Sequence, residues 1–128
     1  MASRSFNFVQ ALDMKCIALP GSFAPNGVGA IDNTLNKGKG FSVARTGVGT
    51  YTVTLEDGYP QLLATNVTIQ LASADGKAVH CGPIDPLTAR TAVFRVWDYS
   101  AAALADIAAD PNNRINFVLW LKNTELTF

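Results

Sequence analysis

The chain has 128 residues, ten basic and ten acidic, with one histidine and two cysteines. Zero formal net charge leaves no basic excess to neutralise phosphates, which sets nucleic-acid binding aside as a main task. Charged residues make up only 16% of the chain, against about 25% in an ordinary soluble domain, so part of the surface is expected to face other subunits in a homo-oligomer.

That length suits one compact domain. No apolar run approaches the roughly 20 residues of a membrane span, so no membrane partner is expected. Gln10, Asp13 and Lys15 interrupt the amino-terminal segment where a signal peptide would be continuously apolar. The expectation is a chain made and used without Sec export. Cys16 and Cys81 are expected as free, buried thiols, since nothing in the sequence requires them to pair.

In chain order, Ser5–Asp13 alternates Phe6, Phe8 and Gln10 with Asn7, Val9 and Ala11 and reads as a first strand. Lys15–Leu19 reads as a second, stopped by Pro20-Gly21. From Pro20 to Gly40 there are five glycines and two prolines, which predicts a long loop or arm of the kind that carries contacts. Phe23, Val28, Ile31 and Leu35 are its apolar residues and candidate interface positions. Residues 1–39 are therefore expected as amino-terminal strands plus arm, and 40–128 as the β-domain, within one compact unit.

The clearest element is a hairpin. Phe41, Val43 and Arg45 alternate with Ser42, Ala44 and Thr46; Tyr51, Val53 and Leu55 alternate with Thr50, Thr52 and Thr54. Gly47-Val48-Gly49 lies between them, with glycines able to take the positive φ of a bulged hairpin turn. Asp57-Gly58 and Pro60 mark the next turn. Leu62 and Leu63 are expected to plug the end of the core. Asn66–Ala72 alternates again, Ala78–Cys81 is a short strand, and Gly82–Leu87 a loop with two prolines. Thr91–Tyr99 is a further strand. Ser100–Asp110 is alanine-rich and predicts a short helix, with Asp98 or Ser100 as N-cap and Leu104 and Ile107 on one face. Arg114–Lys122 is a strand with two apolar faces: Ile115, Phe117, Leu119 and Leu121 on one, Val118 and Trp120 on the other. Such a strand is central, or meets another subunit through its outer face. About seven or eight strands and one short helix define a mainly β fold, an antiparallel sandwich or barrel.

Catalytic patterns are scarce. His80 and Cys81 are adjacent, and adjacent strand residues point to opposite faces, so they cannot form a dyad there. Glu56-Asp57 lacks a second converging carboxylate, and Asp57-Gly58 is better read as a turn. One histidine and two scattered cysteines make no soft-ligand metal set. The glycines at 27, 29, 38 and 40 match no phosphate-binding pattern. No cofactor is expected. Trp97, Trp120, Tyr51, Tyr59 and Tyr99 are a possible sugar-binding platform, with core or interface positions as the alternative.

The run Val43-Ala-Arg-Thr-Gly-Val-Gly-Thr-Tyr-Thr-Val-Thr-Leu-Glu-Asp-Gly-Tyr-Pro resembles the hairpin and following acidic-glycine turn of small virion structural proteins of tailed bacteriophages. Ala103-Leu-Ala-Asp and Arg114-Ile-Asn-Phe fit the same pattern, so the resemblance spans about residues 40–122. It implies a non-enzymatic, β-rich capsid decoration (cement) protein on the capsid surface. The expected partners are the major capsid protein or other virion proteins, and synthesis is in the host cytoplasm. A tail, neck or fibre component, including a receptor binder, is the alternative, and a small hydrolase using Asp57 or His80 a third. The resemblance implies no catalytic residue.

Overall fold

In the computed structural model, residues 16–73 and 76–122 are described. Eight strands occur among them: β1 Cys16–Phe23, β2 Phe41–Gly47, β3 Thr50–Leu55, β4 Gln61–Gln70, β5 Lys77–Asp85, β6 Thr91–Asp98, β7 Ala103–Leu104 and β8 Arg114–Lys122. They form two antiparallel sheets in a sandwich. One has the order β1-β8-β4; the other has β2-β3-β6-β5, with β7 paired to β6. The strand expected at Ser5–Asp13 lies outside the described residues.

Alternation in the sequence becomes the inner and outer faces of each sheet. Ile115, Phe117, Leu119 and Leu121 of β8 are all buried, as are Tyr51, Val53 and Leu55 of β3 and Ala92, Phe94 and Val96 of β6. Phe23, Tyr51, Phe94 and Phe117 form the aromatic centre, with ring centroids 5.4 Å apart for Phe23–Tyr51 and for Phe94–Phe117. Burying a large apolar side chain of this kind contributes about 1.5–3 kcal/mol, so this row dominates cohesion between the sheets. β8 is the central strand of its sheet, flanked by β1 and β4.

Two prolines expected to end strands sit inside them. β1 runs through Pro20-Gly21 to Phe23, paired with β8 all the way. Proline is tolerated there because β1 is the outer strand of its sheet and the missing N–H leaves no gap in the ladder. A Cβ on Gly21 would lie 2.5 Å from the Phe117 ring and 2.7 Å from Phe41; the bare glycine lets two core rings pack against the strand. β5 likewise runs on through Gly82-Pro83 to Asp85, with a register shift between Cys81 and Ile84. β4 starts at Gln61, so Leu62 is a strand residue packed on the core, while Leu63 stands at its bulge, exposed.

The helix expected at 100–110 does not form. Asp98 Oδ1 accepts from the Ser100 N–H, the local bond an N-cap would make, but here it closes a turn. Ala102 then takes φ 52°, and Ala103 and Leu104 pair with Asp98 and Trp97 of β6. Ile107 is buried in the core, and its carbonyl accepts from Gly27 N–H. Alanine's helix preference is worth at most about 0.7 kcal/mol per residue over ordinary residues. Burial of Ile107 and the bonds of Asp106 outweigh it.

Residues on both sides of position 39 share one core. β1 is an integral strand, and Leu19, Phe23 and Ile31 belong to the same core as Val43 and Leu119. Between β1 and β2 the chain makes a bridge from Lys37 back to Ser22 and a 3-10 turn at Asn33–Leu35, capped by the Asp32 carboxylate on Thr34 N–H.

Candidate interaction surfaces

The apolar residues of the 20–40 segment separate into two groups. Phe23 is 0% exposed and Ile31 is buried, so these two anchor the loop to its own core and have no surface to offer a partner. Val28 and Leu35 are exposed, at 79% and 55%. Leu35 lines a groove of about 790 Å3 at one end of the sandwich, between Ala24-Pro25 on one wall and Pro111 on the other, with Lys37 and Arg114 at its sides. Arg114 is already engaged: its Nε donates to Ser22 Oγ and its Nη2 to the Leu35 carbonyl.

Val118 and Trp120 point away from the core on β8. Directly opposed residues of antiparallel strands share a face, so the register places Trp120 between Ala18 and Ala64, Val118 between Pro20 and Asn66, and Asn116 between Ser22 and Thr68. These three rows hold no charged residue. Small alanines flank the indole, which remains 37% exposed. Basic residues stand only at the two ends of β8, Arg114 and Lys122.

The outer face of the second sheet is similarly poor in charge. Ser42, Ala44 and Thr46 of β2 lie beside Thr50, Thr52 and Thr54 of β3, which adjoin Thr91, Val93 and Arg95 of β6. Arg95 is the charged residue among them. Most charges of the described chain therefore sit in loops and at strand ends. The five aromatics are dispersed: Tyr51 is fully buried, Tyr59 packs on the core, Trp120 lies on the first sheet, and Trp97 and Tyr99 share the outer side of the second.

At the hairpin tip the predicted turn glycines have different tasks. Gly49 takes φ 58°, and a Cβ there would lie 2.5 Å from the Ala105 carbonyl oxygen. Gly47 has room for a side chain, its nearest neighbour being Thr50. Gly58 lies under the Leu87 carbonyl, which a Cβ would approach to 2.9 Å. Asp106 locks the tip. Its carboxylate accepts from Arg45 and from Gly49 N–H, which together hold its pKa below the ordinary value against the opposing effect of burial. Nothing in the sequence relates residues 45 and 106.

Chemistry-bearing residues do not converge. His80 faces outward beside Tyr99, while Cys81 is paired with the core residue Phe94. Both thiols are free, as expected, but not buried: Cys81 is exposed and Cys16 half-buried. Asp57 is exposed beside Gly58. Among the described residues no group of three or more His, Cys, Asp or Glu is placed to hold a metal ion. No helix among them is long and apolar enough to cross a membrane. In comparison with known proteins, no family model, curated protein or solved structure matches the chain.

Proposed function

We propose that this chain is a non-enzymatic structural protein of a tailed-phage virion. In this reading it is a capsid decoration protein that joins neighbouring capsomers as a homo-oligomer. The observation that carries the reading is the uncharged outer face of the β1-β8-β4 sheet with Trp120 at its centre. A face of that kind costs little to desolvate against another protein, and an aromatic seated among small neighbours is a typical energetic anchor. The resemblance of the Arg45–Leu55 hairpin supplies the virion context. Many such weak contacts repeated over a lattice sum to strong attachment.

The exposed Tyr99 beside the half-buried Trp97 favours a second reading, a tail, neck or fibre component with a recognition surface. Quantitative mass spectrometry of purified virions separates the two. Copy numbers on the order of hundreds support decoration, and about six to a few dozen support a tail, neck or fibre position. Absence of the protein from purified particles defeats both.

A further inference from the structure

We propose that Trp97, Tyr99 and His80 form a binding site for a neutral carbohydrate. Trp97 is the last outward residue of β6, paired with Ala78, and Tyr99 opens the turn that follows, its N–H held by the Gly76 carbonyl. The Tyr99 ring lies on the same side of the sheet, beside His80. On the β5 side only Gly76 and Ala78 stand beside Trp97 and Tyr99, while on the other side β7 sets Leu104 opposite Trp97, which is half-buried. Tyr99 is 62% exposed.

Polar groups are placed where ring hydroxyls would meet them. His80 and Tyr99 lean toward each other over Ala78, ring centroids 6.5 Å apart, and the Tyr99 hydroxyl lies 3.5 Å from His80 Nε2. That is a long and weak hydrogen bond, which a ligand hydroxyl can displace. An apolar aromatic face beside a weakly engaged donor and acceptor matches the two-sided character of a sugar ring.

The surroundings argue for a neutral ligand. The nearest carboxylate in sequence, Asp98, belongs to the opposite face of β6 and is spent on Ser100 N–H. Among the described residues the cation of this face is Arg95, which is paired directly opposite His80; its Nη1 reaches toward the β5 bulge, 3.0 Å from where a Cβ on Gly82 would be. This site does not depend on where in a virion the protein sits.

The test uses the full chain carrying Trp120→Phe, which leaves Trp97 as the only tryptophan. Its fluorescence is titrated with maltohexaose, cellohexaose and N-acetylchitohexaose to about 10 mM, the weak end of specific binding. A saturable change with at least one of them is expected. In that background Tyr99→Ala weakens binding about tenfold, the worth of one good stacking contact, and His80→Phe weakens it while circular dichroism stays unchanged. The proposal is overturned if none of the three sugars gives a saturable change, or if Tyr99→Ala binds as tightly as its parent. It also fails if oligogalacturonate alone binds, or if Tyr99→Ala instead abolishes a concentration-dependent dimer in sedimentation.

Discussion

Arg45 grips both oxygens of Asp106: Nε reaches Oδ1 at 2.9 Å and Nη2 reaches Oδ2 at 2.8 Å. Oδ1 also accepts from Gly49 N–H at 2.9 Å. Residues 61 positions apart are thereby joined, and the β2–β3 tip is tied to the segment that carries the chain from β6 to β8. The planar fork suits a carboxylate in a way lysine would not.

Asp106→Asn is expected to lower stability by about 1–2 kcal/mol, toward the low end for a charge-assisted pair because solvent reaches it. The pH dependence follows from sign. The folded-state pKa of Asp106 lies below its ordinary value of 3.8, so its contribution is full above that value and lost as pH falls through the folded-state pKa. The stability gap between wild type and Asp106→Asn should be constant from neutral pH down to about 5 and should close below about 4. Urea unfolding across that range measures it. Asp32 and Asp85 are also held low by hydrogen bonds and remain in both proteins, so a gap unchanged at pH 2 would refute the assignment to Asp106.

Gly49→Ala and Gly47→Ala should differ sharply. At position 49 the new methyl group meets the Ala105 backbone, and the positive φ adds strain, so a loss of about 2–4 kcal/mol is expected. Position 47 is open, and its alanine variant should stay within about 0.5 kcal/mol of wild type. Paired thermal or urea melts decide this, and equal effects would contradict the tip geometry.

Removing residues 1–39 should abolish cooperative unfolding, because it takes Leu19, Phe23 and Ile31 out of the core and leaves β8 without β1. The 1–39 deletion should lose the near-ultraviolet circular dichroism of the full chain, and a deletion that kept it would contradict this core.

Trp120→Lys should separate assembly from folding. The side chain points outward, so its loss costs about 1 kcal/mol or less of monomer stability. Sedimentation velocity should show the variant shifted to monomer under conditions where wild type associates. A variant that assembles as wild type does would remove this face from the interface.

Much of the fold was legible in the chain. Period-two alternation at 41–46, 50–55 and 114–122 and the apolar run at 91–99 assigned strand, and left 114–122 as central or facing another subunit, because a strand's side chains reach opposite sides at every second residue. The low charge could be read as a count. The failures share a cause: Pro20, Pro83 and the alanine run at 100–110 were judged by local preference, worth fractions of a kcal/mol to a few, while their places were settled by partners far away in sequence. An outer strand excuses a proline, and an arginine at 45 with a buried Ile107 unwinds a helix. The same holds for the surfaces. The sequence by itself determined that the chain is β-rich, alternating and short of charge. Only the tertiary structure decided which faces are bare of charge, which of five aromatics stand together, and that Phe23 is core, because those depend on strand register and sheet order, which no local pattern encodes.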